Sequence, residues 1–390
     1  MGRNPLVNSL LSIDQLKEKE ETYPLKVVRC PDCSLVQVEK PIDAHKIYTE
    51  QDYLYFSSDM PGLSEYFAEY ANDVIERFLP TKEGLVVEIG SNDGIMLTLF
   101  GKQDCAVLGV DPAVNVAVRA MARGIPTLPL FFEERVASLI VREMGQAKVI
   151  YGNNCIAHID DLDSVMKGVQ ALLAPDGVFI VECNYWGGMV KNTNYALVYH
   201  DHFSYFSLKN WVDYAPKFGL EVFDAVVTPA QGGSLRVFMS FGGREKTDRF
   251  NELLKEEHDT LLNTKEVAQK YGKACLTEAG KLSQLVKGLR ANGKRIAGYG
   301  AAAKGFSVLK LANIGRDEID YFVDDSPAKQ GKYTPVTHIP VISREAAEGR
   351  LPDYFFITAP NYAQTIMEKE KEFVKGGGKF ILVSSSIVEE

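Results

Sequence analysis

The feature that most constrains this chain is a buried strand that runs into a glycine-rich turn and then into a helix. Residues 85–89 predict the strand, because all but one of them are apolar, and the turn has the spacing Glu88-x-Gly90-x-x-x-Gly94. Glycine lacks a Cβ atom, so the backbone of such a turn can approach a ligand closely, and the helix after it begins with free amide groups. The pattern predicts a sheet with a binding site beyond its strand ends.

Strands alternate with predicted helices around this turn, which indicates a parallel sheet with both faces covered. The first alternation contains a predicted turn at residues 174–177 and ends with a helix and two closing strands over residues 207–241. A charged stretch, residues 246–292, predicts a long helix, and a second alternation starts at residue 295. The sequence therefore predicts an α/β fold with a mostly parallel, doubly wound sheet and a second, smaller α/β domain.

Polar residues near the predicted strand ends indicate which ligand binds. Asp111 ends the strand after the turn, where a carboxylate can accept hydrogen bonds from both hydroxyls of a ribose. The segment Ser91-Asn92-Asp93 offers polar side chains for the amino-acid end of S-adenosylmethionine (SAM), and another strand is followed by an asparagine. We predict that SAM binds to this set of turn and strand-end residues: Glu88, Gly90, Asn92, Gly94, Asp111 and Asn153.

Two alternatives to SAM stay open at this turn. A nucleotide or dinucleotide can use the same strand, turn and acid, although dinucleotide enzymes prefer a G-x-G-x-x-G turn, and a plain turn needs no ligand. Phe131 and Phe132 follow the third predicted strand and can pack on adenine, although adjacent phenylalanines more often belong to a core.

Charge and composition exclude several classes of protein. The formal net charge of −9 disfavours general nucleic-acid binding, which needs a basic surface. The sequence has no apolar run of membrane-spanning length and no signal-peptide pattern. The six cysteines are scattered, with only Cys30 and Cys33 close together, which favours the reducing cytoplasm. We predict a cytoplasmic protein that binds neither nucleic acid nor membranes; the sequence gives no indication of its oligomeric state.

The densest chemical cluster is residues 199–205 (YHDHFSY), which follow the predicted strand 178–182. Methylation of carbon needs an enolate, which forms when a base removes a proton beside a ketone. A histidine suits that task, with a carboxylate to orient it and phenols to stabilise the oxyanion. His158 follows another strand end and is expected nearby. The alternative is a helix start with half-buried histidines, capped by Asp201 or Ser207.

Motifs are spread over the whole chain. They are Cys30-x-x-Cys33, Tyr53 to Ser58, Val87 to Gly94, Gly109 to Pro112, Asn153 to His158, Tyr199 to His202, Gly232 to Arg236, Gly298 to Gly305 and Asp324 to Gly331. With these motifs the chain resembles the nucleotide-sugar C-methyltransferases of deoxysugar biosynthesis, which methylate C-3 of keto-sugars. The resemblance implies a SAM-dependent Rossmann-like methyltransferase core, a zinc-binding N-terminal lobe and a C-terminal Rossmann-like domain.

The resemblance divides the chain into four parts: a truncated zinc-ribbon-like N-terminal lobe (1–60), the SAM-binding methyltransferase core (61–245), a helical connector (246–292) and the C-terminal Rossmann-like domain (293–390). It implies a nucleoside-diphosphate 4-keto-sugar as substrate, held between the core and the C-terminal domain. Gly298-x-Gly300 with Lys304-Gly305 can bind a phosphate at a helix start, and a purely structural role is the alternative.

The resemblance also implies catalytic roles. His202 would be the base that removes the proton from C-3, Tyr199 and His158 would assist at the enolate, and Tyr53 would approach the sugar. Asp201 stands where the family usually has a glutamate before the catalytic histidine. Its side chain is one methylene shorter, which puts its predicted orienting role in doubt.

The implied zinc site is incomplete. The family uses two Cys-x-x-Cys pairs, whereas Cys30 and Cys33 form the one pair in this sequence. A structural zinc takes four ligands, and His45 is a candidate for a third. Zinc held by Cys30 and Cys33 is one prediction, and a knuckle turn without metal is the alternative.

The predicted function is SAM-dependent C-methylation of a nucleoside-diphosphate 4-keto-(deoxy)sugar, at C-3, by deprotonation to an enolate and methyl transfer from SAM. One alternative is an O- or N-methyltransferase that acts on another small molecule. Another is a SAM-binding protein without catalytic activity.

Overall fold

The computed structural model describes residues 1–6, 9–50, 52–60, 62–384 and 387–388. Within these residues, two small sheets lie in the N-terminal lobe, a seven-stranded sheet forms the core, and a six-stranded sheet lies toward the C-terminus. Helices connect the strands of both large sheets. The predicted α/β class, with a second α/β unit, is confirmed.

The N-terminal lobe consists of short elements. They are strands β1 (Arg3–Asn4), β2 (Tyr23–Pro24), β3 (Val27–Arg29) and β4 (Val36–Val38) and helix α1 (Ala44–Tyr48). The antiparallel pair β3–β4 is extended by Ser204–Tyr205, which pairs with β4. The lobe is therefore hydrogen-bonded to the segment that carries the predicted base.

The core sheet has one reversal of strand order. Its strands are β5 (Leu85–Ile89), β6 (Ala106–Val110), β7 (Thr127–Leu128), β8 (Ala147–Asn153), β9 (Leu173–Asn184), β11 (Glu221–Thr228) and β12 (Ser234–Ser240). The strand between β9 and β11 in the chain, β10 (Ser204–Tyr205), belongs to the lobe sheet. The order is β11-β12-β9-β8-β5-β6-β7, and β12 is antiparallel to both its neighbours. Because the order reverses at β5, a crevice opens at the carboxyl ends of β5 and β8.

Helices cover both faces of this sheet. They are α2 (Leu63–Phe78), α3 (Ile95–Gly101), α4 (Val114–Ala122), α5 (Glu134–Met144), α6 (Leu162–Leu172), α7 (Trp186–Asn192) and α8 (Leu208–Tyr214). Val86 packs in a cluster with Phe67 of α2 and Phe100 of α3, whereas its neighbour Val87 belongs to a cluster with Ile140 of α5. All of β5 is buried, as expected for a parallel strand between two helical layers.

Two local predictions are wrong in detail. Residues 174–177 do not separate two elements, because β9 already starts at Leu173 and these residues bulge out of its pairing with β8. The predicted long helix at 246–292 is two helices, α9 (Asp248–Asp259) and α10 (Lys265–Ala291). Leu261 in the break has a φ of +53°, and α9 turns back to the core, where the Glu257 carboxylate accepts two amides at the start of α8.

The C-terminal sheet repeats the reversal of the core sheet. Its elements are β13 (Ile296–Tyr299), α11 (Ala303–Ala312), β14 (Phe322–Val323), β15 (Val341–Ile342), β16 (Tyr354–Ile357), α12 (Ala363–Lys369), α13 (Lys371–Lys375), β17 (Lys379–Ile381) and β18 (Ile387–Val388). The order is β15-β14-β13-β16-β17-β18, and pairing is parallel except at β18. Over the described residues, no helix has the length and apolar character required to cross a membrane.

Asp224 on β11 ties two helices to the edge of the core sheet. Its buried carboxylate accepts hydrogen bonds from Arg77 of α2 (2.6 Å), from Arg249 of α9 and from Thr247 (2.7 Å). Burial alone would raise the pKa of Asp224, but these donors outweigh it and lower the pKa to about 2. The ordinary aspartate pKa is 3.8, so this carboxylate stabilises the fold above about pH 4, and the contribution is lost as the pH falls toward 2.

We expect Asp224→Asn to lower the free energy of unfolding by about 2–3 kcal/mol at neutral pH, because two arginines lose a shared buried anion. Asp73→Asn is the matched control: Asp73 pairs with the same Arg77 at 3.1 Å but is 45% exposed, so we expect a loss below about 1 kcal/mol. Urea unfolding measures both variants. Equal losses of unfolding free energy in the two variants would contradict this account. So would a stability difference between Asp224→Asn and wild type that stays the same from pH 4 to pH 2.

Candidate active site

The switch points of the two large sheets open into one cavity of about 1280 Å³. Residues that follow β5, β6 and β8 form one wall, and residues that follow β13, β14 and β16 form the opposite wall. Helix α1 of the lobe and the segment 53–60 also line it. Ligands bind at such switch points in doubly wound folds, so this cavity is the candidate site.

The turn after β5 requires glycine at two positions for different reasons. Gly90 lines the cavity with a φ of +66°, and a Cβ atom there would lie 2.5 Å from the Cβ of Cys155, so a larger residue does not fit. Gly94 has a φ of +74° and lies outside the cavity lining, where its Cβ would meet Ile125 at 3.2 Å. Gly90 therefore allows the turn to pack against Cys155 at the cavity wall, and Gly94 allows it to pack against Ile125.

Asp111, after β6, lines the cavity and holds the turn. Its Oδ2 accepts the amide of Asn92 at 2.8 Å, and its Oδ1 accepts the amide of Ala113 at 2.9 Å. Each carboxylate oxygen has a second lone pair for a ribose hydroxyl. Burial raises the pKa of Asp111 to about 6, opposed by the two amides, so the group is ionised near pH 7 and can accept both hydroxyls.

The polar side chains of the turn bind the protein's own segment 53–58. Asn92 accepts the amide of Ser57 at 2.9 Å and donates to a carbonyl of the same segment at 3.0 Å. Asp93 accepts both the amide (3.3 Å) and the hydroxyl (2.5 Å) of Ser58. The sequence predicted that these side chains bind the amino-acid end of SAM. In the structure they bind segment 53–58, and both this segment and Asn92 line the cavity.

Tyr53 reaches the cavity because its backbone is fixed on α4. Its amide donates to the side-chain oxygen of Asn115 at 3.2 Å, and the Asn115 side chain donates back to the Tyr53 carbonyl at 3.0 Å. The Tyr53 ring lies 5.3 Å from that of Tyr48 of α1. Burial raises the pKa of Tyr53 well above the usual value, so its hydroxyl is a neutral donor.

The predicted ligands Glu88 and Asn153 have different surroundings. Glu88 does not line the cavity, and its buried carboxylate accepts a hydrogen bond from the Tyr151 hydroxyl at 3.1 Å. Burial raises the pKa of Glu88 well above the usual value. Asn153 does line the cavity, and in the described chain its buried Oδ1 has no hydrogen-bond partner. That oxygen suits the ammonium group of SAM, so the residues at this end of the cavity fit the donor.

His202 lines the cavity, and its two ring nitrogens have different partners. Its Nδ1 lies 2.7 Å from the Leu197 carbonyl, which only accepts, so Nδ1 carries the hydrogen. Nε2 therefore has a lone pair, to which the Tyr199 hydroxyl donates at 2.7 Å. Burial, reinforced by His158, lowers the pKa of His202 well below the usual value, so the imidazole is neutral.

A second tyrosine–histidine pair faces the first. The Tyr48 hydroxyl lies 3.0 Å from Nδ1 of His158, and the rings of His158 and His202 are 4.9 Å apart. Burial lowers the pKa of His158 to about 4. Sequence reasoning missed Tyr48, which has no motif around it and reaches the site only because the lobe packs there. It also missed Asn184, although Asn184 ends β9 as Asn153 ends β8; its Nδ2 lies 3.2 Å from Nε2 of His202, the ring nitrogen that can accept a hydrogen bond.

Asp201 does not contact its neighbour His202 in the way the sequence suggested. Within the described chain no hydrogen bond or ion pair joins them, and the Leu197 carbonyl holds the ring instead. Both residues line the cavity. The buried Oδ1 of Asp201 has no partner among the described residues, and burial raises the pKa of this carboxyl to about 7.

The described residues do not form a four-ligand zinc site. At the knuckle of Cys30 and Cys33, the thiol of Cys30 receives backbone amide hydrogen bonds that lower its pKa. The described chain brings together no group of three or more potential ligands. The prediction of His45 as a third ligand is not supported, because its ring packs on Phe131 at 4.8 Å and its Nδ1 lies 3.1 Å from the Thr49 hydroxyl.

Known proteins match nearly the whole chain. Residues 1–48 match a zinc-binding domain family, residues 63–225 a methyltransferase domain family, and residues 229–383 a family described as the C-methyltransferase C-terminal domain. The C-methyltransferase NovU of Streptomyces niveus is 37% identical over 383 residues, which cover 98% of this chain and 91% of NovU. This chain belongs to the C-methyltransferase family. It is therefore a SAM-dependent methyltransferase.

Solved structures of methyltransferases match part of this C-methyltransferase. A SAM-dependent methyltransferase from Clostridium acetobutylicum is 13% identical, with 45% of this chain and 92% of that chain covered and a TM-score of 0.36. The CcbJ methyltransferase from Streptomyces caelestis is 14% identical, with 49% and 95% covered and a TM-score of 0.36.

Two buried acids make a matched test of the donor site. We expect Asp111→Asn to weaken SAM binding about 10–100-fold, because it removes a charged acceptor from the ribose hydroxyls. Glu88→Gln should change the Kd by less than about 3-fold, because Glu88 faces away from the cavity. Isothermal titration calorimetry with SAM measures both. If Glu88→Gln weakened binding as much as Asp111→Asn, this assignment of the donor site would be wrong.

Proposed function

We propose that this C-methyltransferase transfers the methyl group of SAM to C-3 of a nucleoside-diphosphate 4-keto-(deoxy)sugar, with His202 as the base. The observation that carries the proposal is the neutral imidazole of His202, whose lone pair at Nε2 lies in the cavity between the two switch points. A neutral imidazole has a lone pair that can take a proton from carbon near neutral pH.

The chemistry uses groups that surround the base. Nε2 of His202 takes the proton from C-3, and the electrons of that C–H bond form the enolate. SAM supplies an electrophilic methyl group, which the enolate carbon takes while S-adenosylhomocysteine leaves. The hydroxyls of Tyr199 and Tyr53 and the ring of His158 line the same cavity and can donate or accept around the sugar.

The opposite wall supports a nucleotide-linked substrate. The cavity is larger than a single small ligand needs, and residues at the start of α11 line its second wall. Free amides at a helix start suit a diphosphate. The motifs Gly298 to Gly305 and Asp324 to Gly331, which form this wall, are among those that resemble the nucleotide-sugar enzymes.

Incubation with SAM and a panel of dTDP-, GDP-, UDP- and CDP-4-keto-sugars tests the proposal. Mass spectrometry should find one member that gains a single methyl group while S-adenosylhomocysteine is released. In deuterated water that substrate should also exchange the hydrogen beside its ketone. A methyl group without such exchange would favour O- or N-methylation, and SAM binding without turnover of any member would favour a protein without activity.

His202 has a matched neighbour, His200, which is buried but does not line the cavity. We expect His202→Gln to lower the rate of methylation about 10²–10⁴-fold, with the Kd of SAM unchanged, because the base is lost and the donor site is not. His200→Gln should keep a rate within about 5-fold of wild type if it folds, which thermal unfolding checks. Retained methylation by His202→Gln would remove His202 as the base.

The state of the base can be measured directly. With ¹³C at the Cε1 atoms of the six histidines, we expect the NMR signals of His202 and His158 to keep neutral positions as the pH falls from 8 through 6.5. Burial disfavours the imidazolium, so the neutral form persists to lower pH than the ordinary value of 6.5 allows. Loss of a signal in His202→Gln or His158→Gln assigns it. A His202 midpoint near 6.5 would contradict the neutral base.

A further inference from the structure

Lys304, at the start of α11, is a cation that reaches the cavity without an anionic partner. Its ammonium donates to the backbone carbonyl (3.3 Å) and the side-chain oxygen (3.2 Å) of Gln231, on the turn between β11 and β12 of the core. Within the described chain no carboxylate forms an ion pair with it, and burial is the single cause of its pKa shift. A residue of the C-terminal domain is thus held against the core.

Two other lysines on the same wall are neutralised. Lys329 lies 3.1 Å from Asp324, and Lys369 lies 2.7 Å from Asp325. Lys304 is half-buried, and a charge that is partly withdrawn from water without an ionic partner is favoured by an anion beside it. No protein group among those described supplies it, so the anion is expected to come from the ligand.

The charge of Lys304 acts on the predicted base. Burial lowers the pKa of Lys304 to about 8, so the ammonium form predominates near pH 7. Lys304 is also among the causes, after burial and His158, that lower the pKa of His202. A cation and a neutral base therefore share one cavity, which is the pairing that enolisation of a ketone requires.

We propose that Lys304 is the electrophile of the reaction and that its ammonium stabilises the oxyanion on C-4 of the keto-sugar. When Nε2 of His202 takes the C-3 proton, the C–H electron pair forms a C-3–C-4 double bond and the carbonyl π electrons move to oxygen. Lys304 donates a hydrogen bond to that oxygen and keeps its own proton. This inference rests on the proposed function, because an oxyanion forms only if carbon is methylated.

A diphosphate is the competing anion for Lys304. The two alternatives differ in when the interaction is made: a diphosphate is bound equally in substrate and transition state, whereas the oxyanion exists only after deprotonation. Loss of a diphosphate contact raises KM, and loss of an oxyanion contact lowers kcat. Measurement of kcat and KM separately therefore distinguishes them.

The test uses Lys304→Met and, as a matched control, Lys310→Met, which makes the same change at an exposed position of the same helix outside the cavity. The probe is the member of the 4-keto-sugar panel that wild type methylates. With S-adenosylhomocysteine bound, NMR in deuterated water follows exchange of the C-3 hydrogen. We expect Lys304→Met to lower both the saturated exchange rate and kcat about 10²–10³-fold, with KM and the Kd of SAM changed less than about 5-fold. Lys310→Met should match wild type.

Three results would overturn the proposal. One is a raised KM with unchanged kcat and exchange in Lys304→Met, which assigns the lysine to the diphosphate. Another is equal loss in Lys304→Met and Gln231→Ala, because the Gln231 contact alone would then explain the effect. The third is a wild-type enzyme that fails both to exchange the C-3 hydrogen and to form a carbon-linked methyl group. That result would also contradict the proposed function. Lys304→Arg, which keeps the charge, should retain more exchange than Lys304→Met and so controls for misfolding.

Discussion

The carboxylate of Asp111 is the contact on which the rest of the site depends. By accepting the amide of Asn92, it fixes the turn after β5, and the side chain of Asn92 in turn fixes the segment that carries Tyr53. The C-terminal sheet uses the same device, because Asp324 after β14 accepts the amide of Ala301 after β13 at 2.8 Å. In both sheets, this hydrogen bond lies where the strand order reverses and the cavity opens. The two aspartates differ in their other contacts. Asp111 keeps lone pairs for a ribose, whereas Asp324 is partly neutralised by Lys329.

Burial then determines the chemistry of the site. Burial lowers the pKa values of His158 and His202, which favours their neutral forms, and it raises the pKa of Tyr199, which keeps that hydroxyl protonated. The Leu197 carbonyl, a backbone group that cannot titrate, selects the tautomer of His202. A base whose state depends on burial and on a fixed carbonyl needs no neighbouring carboxylate. That accounts for the geometry of Asp201, which sequence reasoning had paired with the base.

The sequence predicted those features of the site that are local. The turn at Gly90, the acid at Asp111 and the tyrosine–histidine cluster each lie within one short segment, where spacing alone indicates structure. Sequence reasoning failed where a contact depends on packing between segments. Tyr48 contacts His158 only because the N-terminal lobe packs on the core, and Lys304 contacts Gln231 only because the C-terminal sheet packs there. The sequence also could not show that Glu88 lies outside the cavity lining, because the two sides of a wholly buried strand look alike in the sequence. Cys30 and Cys33 stay the predicted metal ligands in a lobe that matches a zinc-binding domain family, and no third potential ligand joins them among the described residues.

The central claim is that the methyl group becomes attached to carbon beside a ketone, in the cavity between the two switch points. The most direct test uses SAM labelled with ¹³C in its methyl group, the 4-keto-sugar that is turned over, and two-dimensional NMR of the product. The account predicts correlations from the labelled methyl to C-3 and to the C-4 carbonyl carbon, with the C-3 hydrogen absent. A labelled methyl group attached to oxygen or nitrogen would contradict it.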